Sequence, residues 1–281
     1  MNKTLFSIIT VGIFLLSSLF VIQVSSETTT TTWFVDDDGG PNIDFTCIQD
    51  AINASSDGDT VFVYNGTYYE NIIVDKSITL QGEDKERSII NAVTTNDYII
   101  KINSDDVYIS GFKIQNSFNS IFLSYSNNVS IINNYIEGYF CIYHSNFSNI
   151  QGNEIIGQLS FARSNNNIVT NNTINPKKSS GIVIKNNCFY NKISYNIIRG
   201  CYYGIEIESS DNEITYNDFI SNNMLDAFIR YKGKCNWNRN YWNRPKILPK
   251  ILFGFDFYKG KFFIDFDMHP AKTRNCDFGG E

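Results

Sequence analysis

At 281 residues, with 42% hydrophobic and 19% charged side chains, the chain can bury a large core and has the make-up of a folded protein. A net charge of −6 lacks the basic footprint by which proteins engage nucleic acid, and that class of partner is excluded. Aromatics at 15% are abundant, and in a regular fold they can fill an interior or line a groove.

The N-terminus reads as an export signal over residues 1–26: Lys3, an apolar run from Leu5 to Val24, and small residues before a cleavage point at Glu27. Left uncleaved, the run is long enough to cross a bilayer, and it is the one segment expected to meet a membrane. Residues 27–32 are Thr-rich, a short tether without the means to fold. Trp33 to Val35 starts the first strand, and Asp36-Asp37-Asp38-Gly39-Gly40 is a turn. Its carboxylates could hold calcium, but the spaced downstream Glu of a calcium loop is missing, so a solvated turn is the plainer reading. Ile48, Ala51 and Ile52 share one helical face, which predicts a short helix capping the open end of a stack of strands.

Short β-rich runs follow at 61–64, 71–74, 78–80, 88–90 and 98–102, and from Val107 to Trp242 the chain repeats. Asn134, Asn153, Asn172, Asn196, Asn217 and Asn240 each lie three residues after one apolar residue and two before another, with Phe112 in the same place one repeat earlier. The spacings of 22, 19, 19, 24, 21 and 23 residues signal a solenoid, whose units bury their apolar sides only by stacking. Asn suits a tight corner because it tolerates left-handed backbone, and stacked amides can pass hydrogen bonds up a column. A leucine-rich repeat would need a Leu consensus that is absent. The fold class expected is all-β: a parallel β-helix over residues 33–242, a short N-terminal capping helix, and a non-repeating C-terminal capping tail over 243–281.

Six cysteines in an exported chain invite disulfides, but the repeat places Cys188 and Cys235 two coils apart, beyond bridging range, and Cys141 and Cys201 further still. Most are expected to be buried apolar filler. Five glycosylation sequons begin at Asn53, Asn65, Asn128, Asn146 and Asn171.

Two side-chain groups carry candidate chemistry. Alignment of the third strand of successive repeats puts Lys185, Glu208 and Arg230 in one outward column, beside Tyr202, Tyr203 and Tyr231, which could stack on sugar rings. The plain reading is a surface ion-pair ladder, the sharper one a sugar-binding or catalytic groove. In Asp265-Phe-Asp267-Met-His269 the two Asp and the His face one way on a strand, a candidate metal or acid–base group. Its plain alternative is the polar outer face of a capping strand. Pro245 and Pro249 interrupt pairing, and the apolar tail beyond them is expected to fold over the last coil or to dock on a membrane or envelope partner.

The stretches Val35-Asp-Asp-Asp-Gly-Gly, Ile48-Gln-Asp-Ala-Ile, Asp57-Gly-Asp-Thr-Val, Asn65-Gly-Thr-Tyr and Leu80-Gln-Gly-Glu-Asp, followed by the Asn column, resemble the pectin-lyase-like right-handed parallel β-helix superfamily. Within it the chain is most similar to the NosD-like branch, named for a periplasmic protein of copper-site maturation. The resemblance implies the fold strongly and the function weakly, because lyases, hydrolases, epimerases and plain surface proteins share it. Copper is not expected, since two His and three Met (one of them Met1) offer few soft donors. The function expected is a non-enzymatic surface or envelope protein whose partner is a polysaccharide, a surface-layer glycan or an envelope protein. A polysaccharide-active enzyme is the alternative, and a copper-handling protein a distant third.

Overall fold

The computed structural model describes residues 29–230, 233–243, 248–256 and 259–276. The export signal and the first two residues of the tether lie outside them, and Thr32 of the tether already belongs to the first strand. Each coil of the chain supplies one short strand to each of three parallel sheets, and neighbouring strands of a sheet come from successive coils. Along the chain the first sheet runs from Thr32–Val35 to Asn236–Asn238, the second from Gly66–Tyr69 to Tyr241–Trp242, and the third from Ile72–Val74 to Lys261–Asp267. With nine strands in the second sheet, the described residues form a right-handed solenoid of about nine turns.

Strands of three to five residues suffice because each contributes only one or two inward apolar side chains. In the second sheet Ile114, Ile136, Ile155, Ile174, Ile198, Phe219 and Trp242 stack in register and are all buried. In the third, Ile121, Phe140, Leu159, Ile182 and Ile205 do the same. Burying each such side chain contributes about 1.5–3 kcal/mol, and only the stack achieves it.

The predicted Asn column forms the corner between the first and second sheets. Asn134, Asn153, Asn172, Asn196 and Asn217 each accept the backbone N–H of the preceding column member through Oδ1, at 2.9–3.0 Å. Asn240 receives the Asn217 N–H in the same way at 3.0 Å. Their left-handed role is a correction: the positive φ falls on the residue before each one. Gly111, Asn133, Gly152, Asn171, Tyr195, Tyr216 and Arg239 carry it, at 55–78°. Tyr and Arg accept that strain because the Asn behind them locks the corner. A second ladder, unforeseen, joins the third sheet to the first. Ser148 N–H donates to Asn167, Asn167 to Asn191 and Asn191 to Asn212, at 2.9–3.0 Å. Beside it runs a column of Ser126, Ser145, Ser164 and Cys188, in which Cys188 Sγ accepts the Ser164 N–H at 3.4 Å. That cysteine is therefore more than filler. All six cysteines are free; four are buried, Cys235 is partly buried and Cys47 is exposed.

Helix α1, Ile48–Ala54, covers the first coil with Ile48, Ala51 and Ile52 buried. Its N-cap residue, Cys47, makes no side-chain cap, and Glu70 from the first coil substitutes by accepting the Ile48 and Gln49 N–H groups at 2.7 and 2.8 Å. Lys76 Nζ donates to the carbonyls of Ile52, Asn53 and Ser55 at the other end, at 2.6–3.0 Å. An anion at the N-terminus and a cation at the C-terminus complement the helix dipole.

At the opposite end Lys250–Asp256 and Lys261–Asp267 form an antiparallel hairpin joined to the third sheet at Ile229. Here the structure overturns one expectation. The Asp face is the inner one, and Asp267 is fully buried. Its Oδ2 accepts the Asn240 N–H at 3.1 Å, the Asn240 side-chain amide at 3.3 Å and Trp242 Nε1 at 3.0 Å. Asp267 is thus the terminal acceptor of the Asn ladder, and the apolar face of the hairpin points outward.

Candidate functional site

The outer face of the third sheet gathers most of the chemistry. Between inward apolar residues, one outward side chain per coil forms a column in register: Lys101, Phe122, Cys141, Ser160, Val183, Glu206 and Phe228. Cys141, Ser160 and Val183 form its middle and are themselves buried, and aromatic clusters stand at its two ends. At one end Tyr98 stacks on Phe122 at 4.8 Å, and Phe122 on Tyr143 at 6.3 Å. Tyr125 stacks on His144 at 4.7 Å, and Arg163 Nη1 lies 3.3 Å from His144 Nε2. At the other end Tyr203 stacks on Phe228 at 4.9 Å, Tyr202 packs edge-on to Tyr203, and the Arg230 guanidinium lies over Phe228 at 5.5 Å. Phe122 and Phe228 are five strands apart, roughly 24 Å.

The predicted charged column holds its register: Lys185 N–H donates to Phe161 O, Glu208 N–H to Ile184 O, and Arg230 N–H to Ile207 O. Its pairing differs from expectation. Arg230 Nε contacts Glu206 Oε1 directly and stands 3.8 Å from Glu208. Glu206 is 7% exposed, and its second oxygen accepts the Ser180 hydroxyl at 3.0 Å. Among the described residues no ion pair joins Lys185 to Glu208. Tyr231 lies outside them.

A cleft adjoins this face at the corner between the second and third sheets. Two neighbouring cavities of about 510 and 440 Å³ share Ser117, Phe118 and Glu137. Gln158 and Lys178 line the smaller of the two, and Tyr139 lines it too while bordering the outer column at Cys141. The cleft exists because Gly138 and Gly157 stack there: a Cβ on Gly157 would stand 1.8 Å from Gly138 O. Phe118 is 81% exposed at its lip.

Burial moves the titrating groups of this face toward their neutral forms. The Tyr98 hydroxyl is pushed up to about 12, those of Tyr139 and Tyr203 are raised, and the Cys141 thiol is raised as well. Neutral phenols donate and accept hydrogen bonds, and a neutral thiol is a poor nucleophile.

The second predicted group does not assemble. Asp267 is committed to the ladder, Asp265 accepts the Phe266 N–H, and His269 is exposed, its carbonyl accepting the Arg239 N–H. Among the described residues, only Asp36, Asp37 and Asp38 form a group of three His, Cys, Asp or Glu with ligand atoms within 4.8 Å. Asp37 there already accepts the Thr67 N–H at 2.8 Å. Of the sequons, Asn53, Asn128 and Asn171 are exposed, whereas Asn65 and Asn146 are half-buried and the Asn146 amide donates to Asn127 at 3.0 Å. Glu206, Tyr98, Phe122 and Tyr143 escaped the sequence reading, though the residue between two inward apolar positions of a third strand marks Phe122 and Glu206.

The sequence profile of the family described as periplasmic copper-binding protein (NosD) matches residues 52–267. The chain belongs to the NosD family. A "Cell surface glycoprotein" of Methanothermus fervidus is 39% identical over 98 residues, which are 34% of this chain and 16% of that protein. The match thus spans a small fraction of its relative. Among solved structures, a pectin methylesterase in complex with a hexasaccharide superposes with TM-score 0.51 at 13% identity, over 85% of this chain and 86% of its own. The A-module of the mannuronan C-5 epimerase AlgE4 of Azotobacter vinelandii gives 0.49 at 15% identity, over 77% and 79%. The first of these likenesses shows the fold alone. Together the comparisons point to a surface or periplasmic β-helix protein. The copper of the family description does not fit the donors here: the described cysteines and histidines do not converge, and the one cluster is of hard, exposed carboxylates.

Proposed function

We propose that this NosD-family chain is an exported, non-enzymatic β-helix protein that binds glycan along the outer face of its third sheet. The observation that carries the reading is the pair of aromatic stacks, Tyr98–Phe122–Tyr143 and Tyr203–Phe228, at the two ends of one column with a small-residue floor between them. A sugar ring offers an apolar face to an aromatic plane and hydroxyls to its rim. Glu206, Arg230, Lys185 and the phenols supply that rim, and the corner cleft beside Tyr139 gives a branch or a neighbouring unit a place to enter. The name of the glycoprotein relative supports a surface setting. Affinity electrophoresis of the chain through gels containing neutral and acidic polysaccharides tests the reading. Retardation is expected in at least one gel, with Phe122→Ala weakening it about tenfold, as truncation of an aromatic hot spot does. Retardation unchanged in Phe122→Ala and in Tyr203→Ala, or absent from every gel, rejects the site.

A further inference from the structure

Solenoids end in caps with a polar outer face, because a stack that stops must meet water. Helix α1 provides this at one end. The C-terminal hairpin does the reverse. All its carboxylates (Asp256, Asp265 and Asp267) alternate onto the inner side, while Ile251, Phe253, Phe255, Phe262, Ile264 and Phe266 occupy the outer one. Phe262 is 84% exposed, Phe253 56%, Ile264 55% and Ile251 46%. Leu248 and Met268 flank them at 76% and 58%. No described segment of the chain covers this face.

We propose that this hairpin face is a tail-to-tail dimer interface, and that its occupant is the same face of a second copy. The area argues for it. The exposed apolar surface amounts to roughly 500–800 Å² per copy, so two faces would bury on the order of 1,000–1,600 Å², the range of specific interfaces. The geometry agrees, because an antiparallel two-stranded ribbon packs on its twin about a two-fold axis, giving a small sandwich centred on the Phe253–Ile264 row. The proposal uses residues other than those of the glycan site, although the hairpin joins the same sheet at Ile229 and Gly254 and its outer face begins next to Phe228 and Arg230.

The experiment pairs cross-linking with sedimentation, using the full chain. In a Cys47→Ser background, which removes the exposed native thiol, Ile264→Cys is treated with a short bismaleimide, and Tyr69→Cys, 66% exposed near the other end, is the collision control. A covalent dimer is expected for Ile264→Cys alone and is expected to vanish when Phe262→Asp is added. Sedimentation velocity of the Cys47→Ser parent should show a concentration-dependent dimer that Phe262→Asp shifts at least tenfold toward monomer, with an unchanged melting temperature confirming that this exposed substitution leaves the fold intact. Equal cross-linking at Ile264→Cys and Tyr69→Cys would overturn the proposal. So would a monomer at every concentration whose hairpin gains hydrogen-exchange protection only with vesicles of phosphatidylcholine and phosphatidylglycerol, which would assign the face to a bilayer.

Discussion

A side-chain amide both donates and accepts, so a column of asparagines can hand hydrogen bonds from coil to coil without leaving a buried group unpaired. Asn172 shows the full set. Its Oδ1 accepts the Asn153 N–H and the Asn153 amide, and its own amide donates to Ile150 O, Thr170 O and Asn196 Oδ1. Asn172→Ala removes the acceptor and strands the buried Asn153 N–H, so the cost expected is about 2–4 kcal/mol, read from denaturant melts. Asn172→Ser should recover part of it, because Ser148 Oγ takes the Val129 N–H in the neighbouring ladder in just this way. Asparagine was legible as a column because one residue type recurs at a fixed offset from apolar partners. The parallel ladder of Ser148, Asn167, Asn191 and Asn212 was not, because it spans only four coils and opens with a serine.

At the scale of elements, α1 has seven residues, too few to be stable alone, and owes its persistence to packing and to borrowed caps. Glu70→Ala should cost about 1 kcal/mol and should release the amides of Ile48 and Gln49 to faster hydrogen exchange, leaving the central coils untouched. The hairpin shows what pattern cannot decide. Alternation in Asp265-Phe266-Asp267-Met268 announces two faces, but which one turns inward depends on where an acceptor is needed. The Asn240 amide and the Trp242 indole need one at the end of the ladder, and Asp267 meets both. The same limit applies to the outer face of the third sheet. Strand register followed from the repeat and placed Lys185, Glu208 and Arg230 correctly, yet the choice of Glu206 over Glu208 by Arg230 is a matter of side-chain direction and depth. The aromatic stacks of that face arise across two or three coils, so no single repeat displays them.

For the whole molecule, the repeat makes stability close to a sum over coils and the contacts between neighbours. Excising residues 154–172 joins Asn153 to Thr173, which is the register partner of Glu154, and keeps the ladder whole. The shortened chain is expected to fold and to melt about 5 °C lower by circular dichroism, whereas a deletion of half that length, which breaks register, should not yield a cooperative transition. The sheet hydrogen bonds also have a mechanical meaning, because they lie along the long axis of the solenoid. A pull shared evenly over a coil would load all three strands and both amide ladders at once, and rupture would require them to fail together. A pull on one chain end would instead lift a single strand at a time, starting at the hairpin that meets the third sheet only through Ile229 and Gly254. Such a rod resists stretching along its length and peels from its tip.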